Sequence, residues 1–382
     1  MRPDDYTVAS YYFPDYHPDD PRNIKMHGGE WSEWELVKSA RPRFEGHHQP
    51  NVPLWGYEDE SDPVAMAKKI DAAADHGIDA FIFDWYWYDD GPFLERGLER
   101  GFLKAANNQR LKFSLMWANH DWIDIHPATL SKAPALVFPG TVKPETFDRM
   151  TDYIITTYFK HPSHWMIEGK PYFSIYELHT FVKSFGSLDA AKAALDRFRE
   201  KTVAAGFPGL HLNAVAFGIQ ILPNETAVKN PAELVHKLGF DSVTSYVWVH
   251  HVGLPQFPQT PYDYVMEKAV EHWGVADQQF GVPYHPNVSM GWDPSPRCLQ
   301  SDPYENKGYP FMATISGNTP DKFKTALEKV KAFLDGQSSG QRIFTINCWN
   351  EWTEGSYLEP DTVHGFAYLD AVKAVFGANP KP

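Results

Sequence analysis

The chain has 382 residues, 43% of them hydrophobic, enough to bury the core of one large α/β domain or of two smaller ones. A formal net charge of −14 argues against a nucleic-acid backbone or an anionic membrane as partner, since both call for clustered cations. Cys298 and Cys348, the two cysteines, make neither a disulfide framework nor a metal-type spacing. No window reaches the ~20 apolar residues of a membrane helix, and "MRPDDYTVASYYF" lacks the cationic-then-apolar order of a signal peptide. The expectation is a soluble cytoplasmic protein, or a periplasmic or secreted one if a leader has been trimmed. No feature assigns an oligomeric state, and a monomer suffices. The 13 Trp, 19 Tyr and 25 Phe belong largely to a core, but Trp also stacks on the apolar faces of sugar rings.

In chain order, strands are expected at 7–13, 78–87, 111–119 and 170–178, then at 210–218, 242–248, 280–285 and 342–352. Most are continuous apolar runs, as in strands covered on both faces. Between them lie helical patterns. Asp62-Pro63 opens one that ends at Gly77, with apolar spacings of three and four. Others run over 143–160, 187–205, 230–238, 261–272, 319–335 and 365–376, with a weaker one over 93–107. Eight strands, each followed by a helix and with no composition break, predict a single (β/α)8 TIM barrel over residues 1–382. A doubly wound open sheet is disfavoured because no Gly-rich phosphate loop follows the first strand. Long loops follow strands one, three and seven, on the face where this fold builds active sites.

Polar and aromatic residues gather at the predicted C-terminal strand ends. Asp15 follows strand one, Trp87 ends strand two, and Asn119 and His120 follow strand three. Glu177 ends strand four, Tyr246 strand six and His285 strand seven, while strand eight supplies Trp349, Asn350, Glu351 and Glu354. Any one of them is as well explained as a helix cap or a loop hydrogen bonder. Together they predict an enzyme pocket.

Metal chemistry is disfavoured: the His pairs at 47–48 and 250–251 are adjacent, and there is no His-Glu-x-x-His helix. No Gly-x-Ser-x-Gly elbow is present, and Cys348 sits in an apolar strand as an inert thiol would. Glycoside cleavage needs an acid for the leaving oxygen and a second group at the anomeric centre. Glu351 and Glu354 fit in type, and two close carboxylates push their pKa values apart. A common barrel glycosidase layout places one Glu after strand four and one after strand seven. Glu177 meets the first condition, but strand seven carries no carboxylate, which favours the strand-eight pair.

The segment "WNEWTEGSYLEP" (349–360) closely resembles the "WNEW-x-EG…EP" signature of glycoside hydrolase family 99 and its WbsX-type relatives. The resemblance continues through "YYFPDYHPD" (11–19), "WSEWELVKSARPRFEGHHQP" (31–50), "GIDAFIFDWYW" (77–87), "FSLMWANHDW" (113–122) and "GWDPSPR" (291–297). It implies a (β/α)8 glycosidase that needs no cofactor and acts on α-mannosides or α-rhamnosides in an oligo- or polysaccharide; no metal site is expected. It further implies that Glu351 is the base on the substrate's own 2-hydroxyl, giving a 1,2-anhydro sugar, and that Glu354 is the acid. In one departure, the relatives' "WANE-x-W" is "WANHDW" here. The alternatives are a glycosyltransferase of polysaccharide biosynthesis, as the WbsX label suggests, and a non-catalytic sugar-binding barrel.

Overall fold

The computed structural model describes residues 6–337 and 341–377. Eight staves form a parallel barrel: β1 (Tyr6–Tyr12), β2 (Ala80–Tyr88), β3 (Lys112–Trp117), β4 (Lys170–Ile175), β5 (His211–Val215), β6 (Ser242–Thr244), β7 and β8 (Arg342–Asn347). Strand β7 comes in two pieces, Tyr284–His285 and Asn287–Ser289. The first piece pairs with β6 through Val243 and Tyr284; the second pairs with β8 through Val288 and Ile346. Pro286 stands between them. It has no N–H to give, but its carbonyl accepts from Thr345 N at 2.9 Å. Pairing of β8 with β1, through Phe344 and Val8, closes the ring.

The helices α1 (Pro21–His27), α2 (Trp34–Ser39), α3 (Pro63–Asp75), α4 (Pro144–Ile154) and α5 (Leu178–Phe185) belong to the first half. The second half adds α6 (Leu188–Ala204), α7 (Pro231–Leu238), α8 (Tyr262–Gln279), α9 (Pro320–Asp335) and α10 (Ala367–Phe376). Their burial follows the period expected of a helix packed on a sheet. In α9, Phe323, Ala326, Leu327, Val330 and Leu334 are buried. The Asp62 side chain caps α3 by accepting from Val64 N at 2.8 Å, with Pro63 in the first turn.

Several expectations need correction: the sixth strand ends at Thr244, not 248, and the eighth at Asn347, not 352. The fourth strand stops at Ile175, not 178, because the chain turns at Glu177 and Leu178 begins α5, which buries Leu178 and Phe181. The pattern at 93–107 forms no α-helix but a π-turn (Gly97–Gly101) and a 3-10 turn (Phe102–Lys104). Gly101 packs so tightly that an added Cβ would stand 2.2 Å from the Glu60 carbonyl oxygen. The seventh strand lies further along than 280–285.

Barrel interiors are usually filled by branched aliphatics; this one carries a hydrogen-bonded polar belt. Ser174 donates to Asn213 Oδ1 at 2.8 Å, Asn213 to Ser242 Oγ at 2.9 Å and Asn287 to Thr345 Oγ1 at 3.0 Å. Above this belt, at the C-terminal strand ends, lies the pocket.

Candidate active site

The pocket holds about 670 Å3 of empty space, open solvent at its mouth included. At its centre one guanidinium meets three carboxylates. Arg297 reaches Glu351 Oε1 with Nη2 at 2.8 Å and Glu354 Oε1 with Nη1 at 2.6 Å. The same Nη2 lies 3.0 Å from Glu33 Oε2. Tyr309 donates to Glu354 Oε1 at 2.6 Å and itself accepts from Arg297. His126 Nε2 stands 3.1 Å from Glu33 Oε1, and Thr353 donates to Glu33 Oε2. All four charged side chains are buried. The Arg297 guanidinium lies 5.3 Å from the centre of the Phe13 ring, within cation–π range.

One positive charge cannot balance three negative ones out of water, so the carboxylates divide the work. Burial works to raise the Glu33 pKa, but Arg297, His126 and Thr353 outweigh it and hold that carboxyl down to about 2. Glu33 is the standing counter-ion. Burial, then the Glu354 charge, pushes Glu351 well above the ordinary carboxylate range against the pull of Arg297. Burial also raises Glu354, with Arg297 and Tyr309 opposing. Burial thus favours the protonated form at both carboxyls, and two coupled carboxyls at one site can divide so that one keeps a proton while the other carries the charge.

Strand alternation sets the rest of the wall. Along β2, Asp84 and Tyr86 line the pocket. Trp85 and Trp87 point the other way, Trp85 donating to Tyr158 OH at 3.1 Å and Trp87 packing on Tyr153 at 5.2 Å. Tyr246 donates to Asp84 Oδ2 at 2.7 Å and approaches Glu351 Oε2 at 3.4 Å. Asp84 Oδ1 is buried with no partner among the described residues.

Of the residues expected at the pocket, Glu351, Glu354, His120 and Tyr246 line it. The others stand behind it. Asp15 Oδ1 accepts from Asn23 at 2.6 Å, and burial with the nearby Glu33 charge raises its pKa. Trp87 is on the outer face of β2. Asn119 clamps the backbone of Glu177, giving 2.9 Å to its carbonyl and taking 2.8 Å from its N–H. The Glu177 carboxyl, raised to about 7 by burial, accepts from Thr226 N at 2.9 Å and so holds the loop after β5. His285 lies inside the barrel with Tyr172 and His211, near the ends where β4 and β5 begin. Trp349 donates to Glu359 at 2.9 Å, and Asn350 brackets the Phe13 backbone.

Glu33, Arg297, Asp84 and Tyr309 are not among the residues chosen from the sequence for the site. Glu33 and Arg297 lie inside the quoted segments 31–50 and 291–297, and Asp84 inside 77–87. Nothing in "KGYPF" singles out Tyr309. Among the described residues no group of three or more His, Cys, Asp or Glu is arranged to hold a metal ion, and no helix is long and apolar enough to cross a membrane.

A (β/α)8 barrel with buried carboxylates at its C-terminal mouth has its pocket on the face where that fold builds active sites. The chain belongs to the WbsX family: the model described as "Glycosyltransferase WbsX" matches residues 8–372. Among curated proteins it is 26% identical over 377 residues to "Uncharacterized protein WxcX" of Xanthomonas campestris pv. campestris strain B100, covering 96% of this chain and 49% of that one. The chain thus spans about half the length of the curated relatives it matches. Similar solved structures include a GH99 endo-alpha-mannosidase from Bacteroides thetaiotaomicron, at TM-score 0.54, 15% identity and 97% and 96% coverage of the two chains. A complex of such a mannosidase with BIS-TRIS-propane gives TM-score 0.58 at 14% identity, with coverage of 97% and 96%. A protein titled "Glycoside hydrolase-like protein" gives TM-score 0.62 at 14% identity, with coverage of 97% and 94%.

Proposed function

We propose that the chain acts as one catalytic domain, a retaining glycoside hydrolase for α-manno-configured glycosides (α-D-mannosides or α-L-rhamnosides) in an oligo- or polysaccharide. The observation that carries this reading is the clamp of Arg297 on both Glu351 and Glu354 at the wall of one pocket. Glu351 takes the proton of the sugar's 2-hydroxyl as O2 attacks C1. The C1–O bond to the leaving group breaks, and that oxygen takes a proton from Glu354. Water then attacks C1 and gives a proton to Glu354. The 1,2-anhydro ring opens, and O2 recovers its proton from Glu351. Two inversions at C1 amount to retention. The 2-hydroxyl must be trans-diaxial to the leaving group, which selects the manno configuration.

The test is incubation with aryl α-D-mannosides, aryl α-L-rhamnosides and microbial polysaccharides, without nucleotide sugars. Release of sugar should fall ~10²–10⁴-fold in Glu351→Gln and in Glu354→Gln, the range for general acid–base groups. Unchanged turnover in both variants refutes the assignment. The family description favours a second reading, transfer from a nucleotide sugar during polysaccharide assembly. Consumption of a nucleotide sugar only in the presence of a saccharide acceptor, with no hydrolysis of aryl glycosides, would establish it instead.

A further inference from the structure

Most polar groups on the pocket wall already have partners in the protein. Tyr176 donates to Glu225, His126 Nε2 meets Glu33 at 3.1 Å, and Asp121 accepts from Gly140 N at 2.8 Å. Three atoms differ. Asp84 Oδ1, His250 Nδ1 and Trp292 Nε1 are buried with no partner among the described residues, and all three residues line the pocket. They come from separate walls: Asp84 from β2, His250 from the loop after β6 and Trp292 from the loop after β7. An unpaired buried polar atom is costly, and on a cavity wall a ligand can bring the missing partner. Each of the three suits a hydroxyl. An indole N–H donates, a carboxyl accepts as the anion or donates as the acid, and a neutral imidazole does either at its free nitrogen. Burial takes the His250 pKa to about 3 and so keeps that ring neutral.

Of the three, Asp84 is tied to the reacting centre. Its other oxygen, Oδ2, accepts from Tyr246 OH at 2.7 Å, and the same phenol oxygen lies 3.4 Å from Glu351 Oε2. The carboxyls of Asp84 and Glu351 therefore flank one phenol, within reach of the hydroxyls of a single pyranose. The Tyr246 bond fixes the carboxyl and leaves Oδ1 as the free oxygen. Pairing of Asp84 with Met116 in the β2–β3 ladder holds the backbone behind it. We infer that Asp84 is a specificity-determining residue: while Glu351 holds O2, Asp84 Oδ1 hydrogen-bonds a second hydroxyl of the same sugar. That sugar therefore carries a free hydroxyl at C3, C4 or C6, and a branch or acyl group on that oxygen abolishes the contact. The inference rests on the reading of the pocket as a sugar site, and it adds a recognition group to the Glu351–Glu354 pair.

The experiment compares wild type, Asp84→Ala and Asp84→Asn on aryl α-D-mannoside, aryl α-L-rhamnoside and their 3-deoxy and 4-deoxy analogues, with the 6-deoxy analogue of the mannoside. Binding of the corresponding methyl 1-thioglycosides is followed in parallel by calorimetry, which reads recognition without turnover. In wild type one deoxy analogue should lose ~10–100-fold in kcat/KM, the range for a hydrogen bond to a carboxylate. Asp84→Ala should suffer a similar loss on the parent sugar and be indifferent to that same deoxy change. In Asp84→Asn, which keeps the shape of the side chain, the deoxy penalty should shrink; this variant decides the matter if Asp84→Ala does not fold. A penalty that persists in full in both variants, or no penalty at any position in wild type, overturns the inference and leaves hydrolysis standing. The same coupling seen in thioglycoside binding, without turnover of any aryl glycoside, sinks the hydrolase reading and supports the Asp84 assignment. If no member of the series is bound or hydrolysed, the inference falls.

Discussion

Two buried charge clusters flank the end of β8, and they are built to opposite ends. In one, Lys69 lies 2.5 Å from both Glu60 and Glu359. Every carboxylate oxygen there has a donor: Asn350 serves both oxygens of Glu60, at 3.0 and 3.2 Å, and Trp349 and Trp352 give their indole N–H groups to Glu359 at 2.9 and 2.7 Å. None of these residues lines the pocket. In the other cluster Arg297 meets three carboxylates, and Arg297, Glu351 and Glu354 face the cavity. Beside that cluster, Asp84 Oδ1 is buried with no partner among the described residues. A saturated cluster anchors the chain; one with surplus carboxylates on a cavity wall leaves them open to a ligand.

The contrast parses "WNEWTEGSYLEP". Trp349, Asn350, Trp352 and Glu359 belong to the anchor, whereas Glu351 and Glu354 turn to the pocket. The largest expected difference is therefore in rate. Glu351→Gln and Glu354→Gln lose ~10²–10⁴-fold in kcat, while Glu60→Gln stays within about tenfold of wild type on the same aryl glycoside. Equal losses at all three positions would erase the distinction. Next in size is Lys69→Met, which strands two buried carboxylates and should cost about 3–5 kcal/mol in urea unfolding.

A smaller effect separates the clusters by pH. Burial first, then the Glu359 charge, lifts Glu60 to about 7 against the pull of Lys69 and Asn350. Between the unfolded value of ~4.3 and this raised value the native chain holds a proton that the unfolded chain has released. Stability therefore falls as pH rises through that window and is flat above it, by on the order of 3 kcal/mol. The Lys69 pKa is raised, so its contribution is constant there and is lost only on the alkaline side. Denaturant midpoints of wild type and Glu60→Gln across this range should differ in slope; identical slopes would contradict the assignment. Glu33, held down to about 2, adds stability that disappears only as pH falls below the ordinary carboxylate value. The smallest effect is Trp352→Phe, which removes one hydrogen bond to a carboxylate at a cost of about 1.5–3 kcal/mol with the Arg297 clamp untouched.

How far the sequence foretold the molecule depends on the range of the interaction. Barrel class and most helices were legible because each rests on local signals, such as Asp62-Pro63 before an apolar period and Gly77 after it. Glu351 and Glu354 were legible because a polar, aromatic run directly follows an apolar strand. Trp87 was misplaced because its neighbours look alike in sequence, and only strand register shows that Asp84 and Tyr86 face inward. His285 was misplaced because strand seven is broken at Pro286 and lies later than its apolar run suggests. The pairing of Glu33 with Arg297 joins loops 264 residues apart, and no local pattern encodes it.

The central claim is that Glu351 and Glu354 act together on one anomeric carbon, and the stereochemistry of the first turnovers tests it most directly. Proton NMR of an aryl α-rhamnoside or α-mannoside during hydrolysis should show the α-anomer of the free sugar first, with the β-anomer growing only by mutarotation. The β-anomer appearing first would contradict the account.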